Sequence, residues 1–215
     1  MNNIYTLVLI TAFIYMGIVN SLAQPTGYSF VKDTMTLKKN LADAALKTKT
    51  IQSDFIQEKN LSVMSEKIIT KGLFYFKREN LLRWEYTEPF KYLIIMNKDK
   101  IFIKDENKEN KYDMKSNKMF QDINKMVIGS VQGKILNTGE FKYQFYQNEK
   151  FYLVVLKPQT KNLKNYLSTI NIYFDKIKYG VTKLNMEELS GDYTNILFNN
   201  RIENAEIKDE KFFIK

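Results

Sequence analysis

One stretch of the chain decides its fold: FYFKRENLLRWEYTEPF, residues 74–90. It holds six aromatic rings and three basic residues. Aromatic residues that alternate with polar ones are typical of a β-strand with one buried face, because successive side chains point to opposite faces. Rings on such a face can fill an ordinary core, stack on nucleic-acid bases, or line a cavity for apolar chains. The rest of the sequence has to separate these three interpretations.

The stretch predicts a β-hairpin with its loop at 79–81. In that register Arg78 lies opposite Leu82, Phe76 opposite Trp84 and Phe74 opposite Tyr86, and directly opposed residues share a face. The residues predicted on the apolar face are Phe74, Phe76, Leu82, Trp84 and Tyr86, with Arg78 at the rim. A guanidinium on an apolar face must find hydrogen-bond acceptors, because an unpaired buried cation is costly.

Similar alternation along the chain predicts further antiparallel strands, about ten in all, each with one buried face. The buried sets are Phe141, Tyr143 and Phe145; Ile170, Ile172 and Phe174; and Thr194, Ile196 and Phe198. Two amphipathic helices accompany these strands. The predicted fold class is therefore mainly β (α+β), an antiparallel sheet or barrel that carries helices on one side.

The two helices are predicted from apolar residues at helical spacing. The first covers 33–49, with Asp33 as its N-cap and its apolar side formed by Leu37, Leu41, Ala44 and Ala45. The second covers 118–133, with its apolar side formed by Met119, Ile123, Met126 and Val127. Methionine-bearing surfaces repack easily, so these helices could act as a movable cover as well as core.

The N-terminus predicts export. An apolar run from Leu7 to Val19 is followed by the small residues Ser21 and Ala23, the pattern of a secretory signal peptide. The run is shorter than the roughly 20 residues that a membrane-spanning helix needs. We expect residues 1–23 to be a signal peptide cleaved after Ala23, and 24–215 to form a single exported domain.

Composition excludes several kinds of chemistry. The chain has no histidine and no cysteine, so it cannot build a Ser-His-Asp triad, a Cys-His pair or the usual zinc sites. The lysines behind the net charge of +9 are scattered, and an exported protein rarely meets nucleic acid. Carboxylates for glycoside cleavage, such as Glu85 with Glu88 or Asp105 with Glu106, do not stand out as a pair. Composition therefore excludes most hydrolase chemistry, and we expect no cofactor, no metal and no nucleic-acid partner.

Several segments follow one another in a fixed order along the mature chain. They are IQSDFIQEK (51–59), KGLFYFKRENLLRWEYTEPF (71–90), KMFQDIN (118–124), LKP (156–158), IYFDK (172–176), SGDYTNILFNN (190–200), Asn204 and Phe212. In this order and spacing they resemble the LolA family of periplasmic outer-membrane lipoprotein carriers. The resemblance implies an unclosed antiparallel half-barrel, helices that cover its hydrophobic concave face, an acyl-chain cavity between the two, and no catalysis.

The resemblance also implies roles for individual residues. The gating arginine of the family lies in a Lys-Arg-Pro-Asn-Leu segment, which this chain presents as residues 77–81, so the gating role falls to Arg78. We expect Arg78 to hydrogen-bond carbonyls of the covering helices when the cavity is empty. The expected cavity lining is Phe74, Phe76, Leu82, Trp84, Tyr86, Ile95 and Phe102. The expected lid-helix residues are Leu37, Leu41, Met119, Ile123, Met126 and Val127.

The implied partners are acylated lipoproteins, an inner-membrane lipoprotein-releasing ABC transporter and an outer-membrane lipoprotein receptor. The implied carrier is a monomer. Two alternatives remain open from the sequence. A lipid- or lipoprotein-sensing regulatory domain, or another lipid carrier, could use the same fold. A cell-envelope carbohydrate-active enzyme would instead show exposed aromatic platforms and a carboxylate pair in a groove.

Overall fold

A computed structural model of the chain describes residues 24–78, 80–113, 129 and 139–213. The described residues form one antiparallel sheet of twelve strands. Its strands are β1 (Ser29–Phe30), β2 (Thr50–Asn60), β3 (Ile68–Lys77), β4 (Leu81–Glu88), β5 (Tyr92–Asn97), β6 (Lys100–Lys104), β7 (Glu109–Asp113), β8 (Phe141–Gln147), β9 (Phe151–Pro158), β10 (Leu167–Asp175), β11 (Val181–Glu188) and β12 (Tyr193–Glu203).

The strands are arranged as two meanders that meet in the middle of the sheet. Their order is β1-β8-β9-β10-β11-β12-β2-β3-β4-β5-β6-β7, so β12 returns to pair with β2. The sheet does not close, because β1 and β7 lie at its two edges. This confirms the predicted fold class, an open half-barrel of antiparallel strands with helices.

The hairpin of β3 and β4 forms with a register different from the predicted one. Phe74 lies opposite Trp84 and Phe76 opposite Leu82, two residues away from the expected pairing, which was wrong. β3 ends at Lys77 and β4 begins at Leu81, so Leu81 belongs to a strand and not to the predicted loop 79–81, and Asn80 before it adopts a positive φ of 62°. A shift of two residues leaves every side chain on its predicted face.

The first predicted helix is confirmed as α1 (Thr34–Lys47). Its N-cap is Asp33, whose Oδ1 accepts a hydrogen bond from the Thr36 amide at 2.9 Å. This bond holds the pKa of the Asp33 carboxyl below its usual range. Two shorter helices follow, α2 (Lys161–Lys164) and a 3₁₀ helix, η1 (Asp209–Phe212).

Two predictions fall on parts of the chain outside the described residues. The signal peptide 1–23 is one of them. The other is the second helix, whose predicted lid residues Met119, Ile123, Met126 and Val127 all lie outside the described ranges. Among the described helices, none is both long and apolar enough to cross a membrane.

The sheet has apolar clusters on both faces. The inner face is the one on which Leu37 and Leu41 of α1 pack, and there they join a helix-covered cluster on β8, β9 and β10. An aromatic cluster on β2–β6 and β12 continues the same face, because Leu184 and Met186 contact both clusters. The outer face carries a C-terminal cluster formed by Tyr75, Ile95, Ile207 and Phe212.

Candidate functional site

The candidate site is the aromatic cluster of the inner face. Phe74 is buried at its centre and meets Trp84 and Phe198 edge-on, with ring centroids 5.3 and 5.6 Å apart. The centroid of the Phe55 ring lies 4.8 Å from that of Trp84 and 5.2 Å from that of Tyr86. Edge-to-face rings from four strands therefore form a continuous apolar surface, with Trp84 and Tyr86 only partly buried at its margin.

The structure brings five of the seven predicted cavity residues together in this cluster. They are Phe74, Phe76, Leu82, Trp84 and Tyr86. Other members were not predicted from the sequence: Ile51, Phe55, Ile94, Met96, Ile101, Ile103, Ile196 and Phe198. The signal for Ile196 and Phe198 was the alternation along β12, which placed them on a buried face without saying which cluster they join.

Ile95 and Phe102 do not lie in the aromatic cluster, so the prediction that they line the same cavity is wrong. They are directly opposite each other on β5 and β6, and both pack in the C-terminal cluster of the outer face. Their neighbours Ile94 and Met96 face inward. Residues 93–96 are all apolar, because β5 is covered on both faces, and alternation cannot assign a face to such a strand.

The inner face carries polar groups at both ends of its strands. We call the end at Arg78 the near end, and the end at residues 89–91 the far end. The aromatic cluster reaches the near end through Ile51, Phe76, Leu82, Met96 and Ile101, with Glu203 directly opposite Ile51 on β12. Toward the far end come Gln57 and Tyr86, whose hydroxyl donates to Gln57 Oε1 at 3.2 Å. Burial raises the pKa of the Tyr86 hydroxyl, with Gln57 and Trp84 opposing this shift.

Arg78 joins the near end to helix α1. Its Nε donates to the carbonyl oxygen of Thr48 at 2.8 Å, and its Nη2 donates to the carbonyl oxygen of Ala45. These carbonyls belong to the end of α1, where the last four C=O groups of a helix lack partners within it. A cation at this end also interacts favourably with the helix dipole. The half-buried guanidinium thus finds the acceptors that its place in the sequence required.

A second set of hydrogen bonds fixes the segment between α1 and β2. The Lys49 amide donates to Asn204 Oδ1 at 2.7 Å, and Thr50 Oγ1 donates to the Ala205 carbonyl at 2.6 Å. The backbone amide of Arg78 donates to the Lys49 carbonyl at 2.9 Å. The end of α1, the β3–β4 turn and the end of β12 therefore meet at one junction.

The other end of α1 is fastened to the opposite half of the sheet. Lys38 Nζ donates to the Tyr143 hydroxyl at 3.0 Å, and Asn40 Nδ2 donates to the Tyr179 hydroxyl at 3.1 Å. Leu37 and Leu41 are both 3% exposed beneath this part of the helix. The predicted lid residues of α1 therefore pack on the helix-covered cluster. Among the predicted site residues that the structure describes, Arg78 alone links the helix to the aromatic side.

Three of the four carboxylates considered for glycoside cleavage have structural partners. Glu85 accepts from Arg83 Nε at 2.8 Å, and Glu88 accepts from Lys71 Nζ at 2.8 Å. Asp105 accepts from the amides of Asn107 and Lys108 in the β6–β7 turn. Across the described ranges, no group of three or more acidic side chains could hold a metal ion.

Sequence similarity to one known family covers most of the chain. Residues 46–215 match a family model described as outer membrane lipoprotein carrier protein LolA. Among curated proteins, none matches the sequence significantly.

Solved structures share the fold at low sequence identity. An uncharacterized conserved protein from Thermus thermophilus superposes with a TM-score of 0.51 at 8% identity, covering 82% of this chain and 91% of that one. MucB gives a TM-score of 0.51 at 10% identity, covering 82% of this chain and 61% of MucB. A LolA superfamily protein from Nitrosomonas europaea gives 0.45 at 11% identity, covering 82% and 97%.

Proposed function

Since the chain belongs to the LolA family of outer membrane lipoprotein carrier proteins, we propose that it is a periplasmic carrier for lipoproteins. It binds the acyl chains of its cargo on the aromatic side of the inner face and shuttles them from the inner to the outer membrane. The hydrogen bonds from Arg78 to the end of α1 carry this proposal, because they make one polar latch at the border of a large apolar surface.

The latch supplies a way to couple cargo to closure. Two charge-assisted hydrogen bonds to carbonyls contribute about 1.5–3 kcal/mol each at most when their partners are desolvated. Acyl chains that enter between α1 and the β3–β4 hairpin would separate Arg78 from Ala45 and Thr48. Reforming these bonds then favours the empty state, so closure helps to expel the cargo.

The energetics of lipid burial explain why such a carrier needs partners. Acyl chains contribute about 0.8 kcal/mol per buried CH₂, so three chains of about fifteen methylenes amount to roughly 36 kcal/mol. That exceeds the free energy of any reversible complex. We therefore expect an energy-driven ABC transporter of the inner membrane to load the protein, and an outer-membrane receptor to accept the cargo by direct transfer.

The test is to identify what the exported protein carries. The full chain, expressed with its own leader, is purified from the periplasm and analysed by native mass spectrometry and by chloroform extraction. We expect acylated protein or lipid to be bound, and to accumulate about tenfold or more in Arg78→Leu, because the variant loses the bonds that favour closure. Arg83→Leu is the matched control, since Arg83 binds Glu85 and the Lys211 carbonyl on the outer face.

Three outcomes separate the alternatives. Cargo that exchanges with membranes and accumulates in Arg78→Leu alone supports a gated carrier. Bound lipid that does not exchange, together with co-purification of a regulatory protein, favours a sensing domain. Wild-type and variant proteins that are both free of lipid would show that the inner rings are ordinary core, and the carrier proposal would fall.

A further inference from the structure

Two turns at the far end of the sheet carry exposed apolar side chains. Residues 61–67 connect β2 to β3, and residues 189–192 connect β11 to β12. At their tips Val63 is 91% exposed, Leu189 65% and Met64 47%. Turns are usually rich in glycine, proline, asparagine, aspartate and serine, and clustered apolar side chains on a surface mark contacts with a partner or a membrane. The apolar tips therefore need a physical reason.

The two turns form one ordered platform. The strand order β11-β12-β2-β3 places them side by side. The Ser62 amide in the first turn donates to Asp192 Oδ1 in the second at 2.7 Å, and this bond holds the pKa of the Asp192 carboxyl below its usual range. The Met64 amide donates to the Leu61 carbonyl at 2.9 Å and closes the first turn. The apolar side chains thus project from a fixed base.

Turns at the near end have mostly polar tips. Turns 98–99 and 148–150 read Lys-Asp and Asn-Glu-Lys. Within the near-end turns that the structure describes, one large apolar side chain is exposed: Ile177, at 85%, which has a lysine on each side in the sequence. A single exposed apolar residue is ordinary on a protein surface, whereas several on joined turns are not.

The other far-end turns also differ from this pair. Turn 105–108 lies at the edge of the sheet and reads Asp-Glu-Asn-Lys. Turn 89–91 carries Phe90, whose ring is 47% exposed and stacks on Tyr86 with centroids 6.2 Å apart, so it packs on its own fold. Val63 and Leu189 are both more exposed than this ring, so the joined turns present the freer apolar side chains.

The shape of this surface favours a lipid bilayer over a protein as its partner. Val63 and Leu189 project singly from separate turns, whereas side chains that bind a protein tightly fill packed pockets at the centre of a broad contact. Lipid chains rearrange around single protruding side chains, and the apolar area that they cover contributes to binding. A bilayer can therefore bury the apolar tips without a matching groove.

Charged groups at the base of the turns select the lipid headgroup. Lys67 is paired with Glu58 at 2.9 Å, and Lys59 with Glu188 at 3.7 Å. An excess of carboxylates repels anionic lipid and attracts ammonium groups. Zwitterionic headgroups, whose ammonium lies outside the phosphate, therefore complement this base. Residues 58–67 and 187–192 contain five carboxylates and two lysines: Glu58, Glu66, Glu187, Glu188 and Asp192 against Lys59 and Lys67.

We propose that Val63, Met64 and Leu189 form a docking surface for bilayers of zwitterionic lipid. The three apolar side chains enter the headgroup and upper acyl region, and the carboxylates at their base face the lipid ammonium groups. This inference goes beyond the carrier proposal, because it needs no cargo and assigns a lipid surface that the protein touches directly. It also sets an orientation, with the far end toward the bilayer and Arg78 away from it.

The test is vesicle flotation with variants at both ends of the sheet. The full chain, expressed with its own leader and purified from the periplasm, is floated with vesicles of phosphatidylethanolamine and phosphatidylcholine. We expect the partition coefficient of the double variant Val63→Ser, Leu189→Ser to fall about tenfold or more, because two apolar side chains no longer gain from leaving water. Ile177→Ser, which removes an exposed apolar side chain from the near end, should partition as wild type does.

Further measurements separate docking from misfolding and from general charge attraction. The urea midpoint of the double variant should equal that of wild type, since both substituted side chains are exposed. Raising the salt concentration from about 0.1 to about 1 M should weaken wild-type docking by less than about twofold, because the contact is mainly hydrophobic. Replacing part of the phosphatidylcholine by phosphatidylglycerol should not strengthen the binding that the double variant loses.

Every outcome either supports or overturns the docking surface. A loss in the double variant and not in Ile177→Ser supports it. Equal flotation of all three proteins overturns it, and so does wild type that does not float, which would assign the apolar tips to a protein partner. Flotation that needs phosphatidylglycerol and disappears in high salt also overturns it and would reflect the net charge of +9. The carrier function is measured separately, from the acyl cargo that each purified protein holds, so either proposal can fail while the other stands.

Discussion

At the residue scale, Gly72 shows how one missing side chain shapes the aromatic surface. A Cβ at this position would lie 1.9 Å from the carbonyl oxygen of Glu85 and 2.7 Å from two ring atoms of Phe55. The backbone of β3 lets the Phe55 ring lie directly across it, next to Tyr86. The glycine is therefore required by the close approach of a ring and a neighbouring strand, and not by a special backbone angle.

We predict that Gly72→Ala destabilises the protein by about 3 kcal/mol, because neither the β4 backbone nor a packed ring can give way easily. The urea unfolding midpoint measures this change. Gly180→Ala is the control: its nearest neighbour would be Arg201 Nε at 3.1 Å, the movable end of a long side chain. A loss in Gly72→Ala as small as that in Gly180→Ala would mean that the aromatic surface adapts to an added methyl group.

At the same scale, the sequence shows that Arg78 needs hydrogen-bond acceptors, but it does not show which groups supply them. Its place at the rim of an apolar hairpin face demanded acceptors, and the sequence motif at 77–81 suggested helix carbonyls. The structure supplies Thr48 and Ala45. The neighbouring Glu79, which could have paired with Arg78, lies outside the described residues.

At the element scale, the C-terminal segment accounts for the apolar outer face of β5. Lys77 Nζ donates to the Ile207 carbonyl at 2.7 Å and to Asp209 at 2.6 Å, and Asn97 Nδ2 donates to the Phe212 carbonyl at 3.2 Å. These bonds hold η1 against Tyr75, with Phe212 completely buried. A strand that is covered by the chain end on one side and by the aromatic cluster on the other needs apolar residues on both.

We predict that Phe212→Ala costs about 3–5 kcal/mol of stability, because a fully buried ring leaves a cavity. Phe213→Ala removes a ring that is 54% exposed and should change stability by less than about 0.5 kcal/mol. Urea unfolding of the two variants gives the comparison. If Phe213→Ala were as damaging as Phe212→Ala, the outer face would be covered differently from the packing described.

At the scale of the whole molecule, α1 is fastened by different means to the two halves of the inner face. Buried leucines and two side-chain hydrogen bonds hold it on the helix-covered cluster. On the aromatic side, Arg78 holds only its last turn. Such an asymmetric attachment lets one end of the helix yield while the other stays in place.

We predict that Arg78→Leu speeds amide hydrogen exchange at Thr48 and Lys49 about tenfold or more, since at least one charge-assisted hydrogen bond at the helix end is lost. Amides of β9 and β10 should keep their wild-type exchange. Arg83→Leu should leave the end of α1 unchanged. Equal acceleration across the whole sheet would contradict the idea of a local latch and make Arg78 a general stabilising residue.

The sequence by itself determined the local features. Alternation fixed which side chains of β3, β4, β8, β10 and β12 share a face, and the N-cap fixed the start of α1, because both depend on the geometry of a few adjacent residues. Even the mistaken hairpin register kept the faces correct, since it was displaced by two residues. The segments that carry the resemblance gave the family, which the match over 46–215 confirms.

Tertiary structure alone decided which surfaces meet. Ile95 and Phe102 face outward because the C-terminal segment around Ile207 and Phe212, more than a hundred residues away, packs on that side of β5. Since all residues of 93–96 are apolar, their pattern cannot show which of them this segment covers. The carbonyl partners of Arg78 likewise appear only when distant segments pack. Periodicity is a property of adjacent residues. Which surface covers a strand, and which group accepts a hydrogen bond from a side chain, depend on contacts between elements that are far apart in the chain.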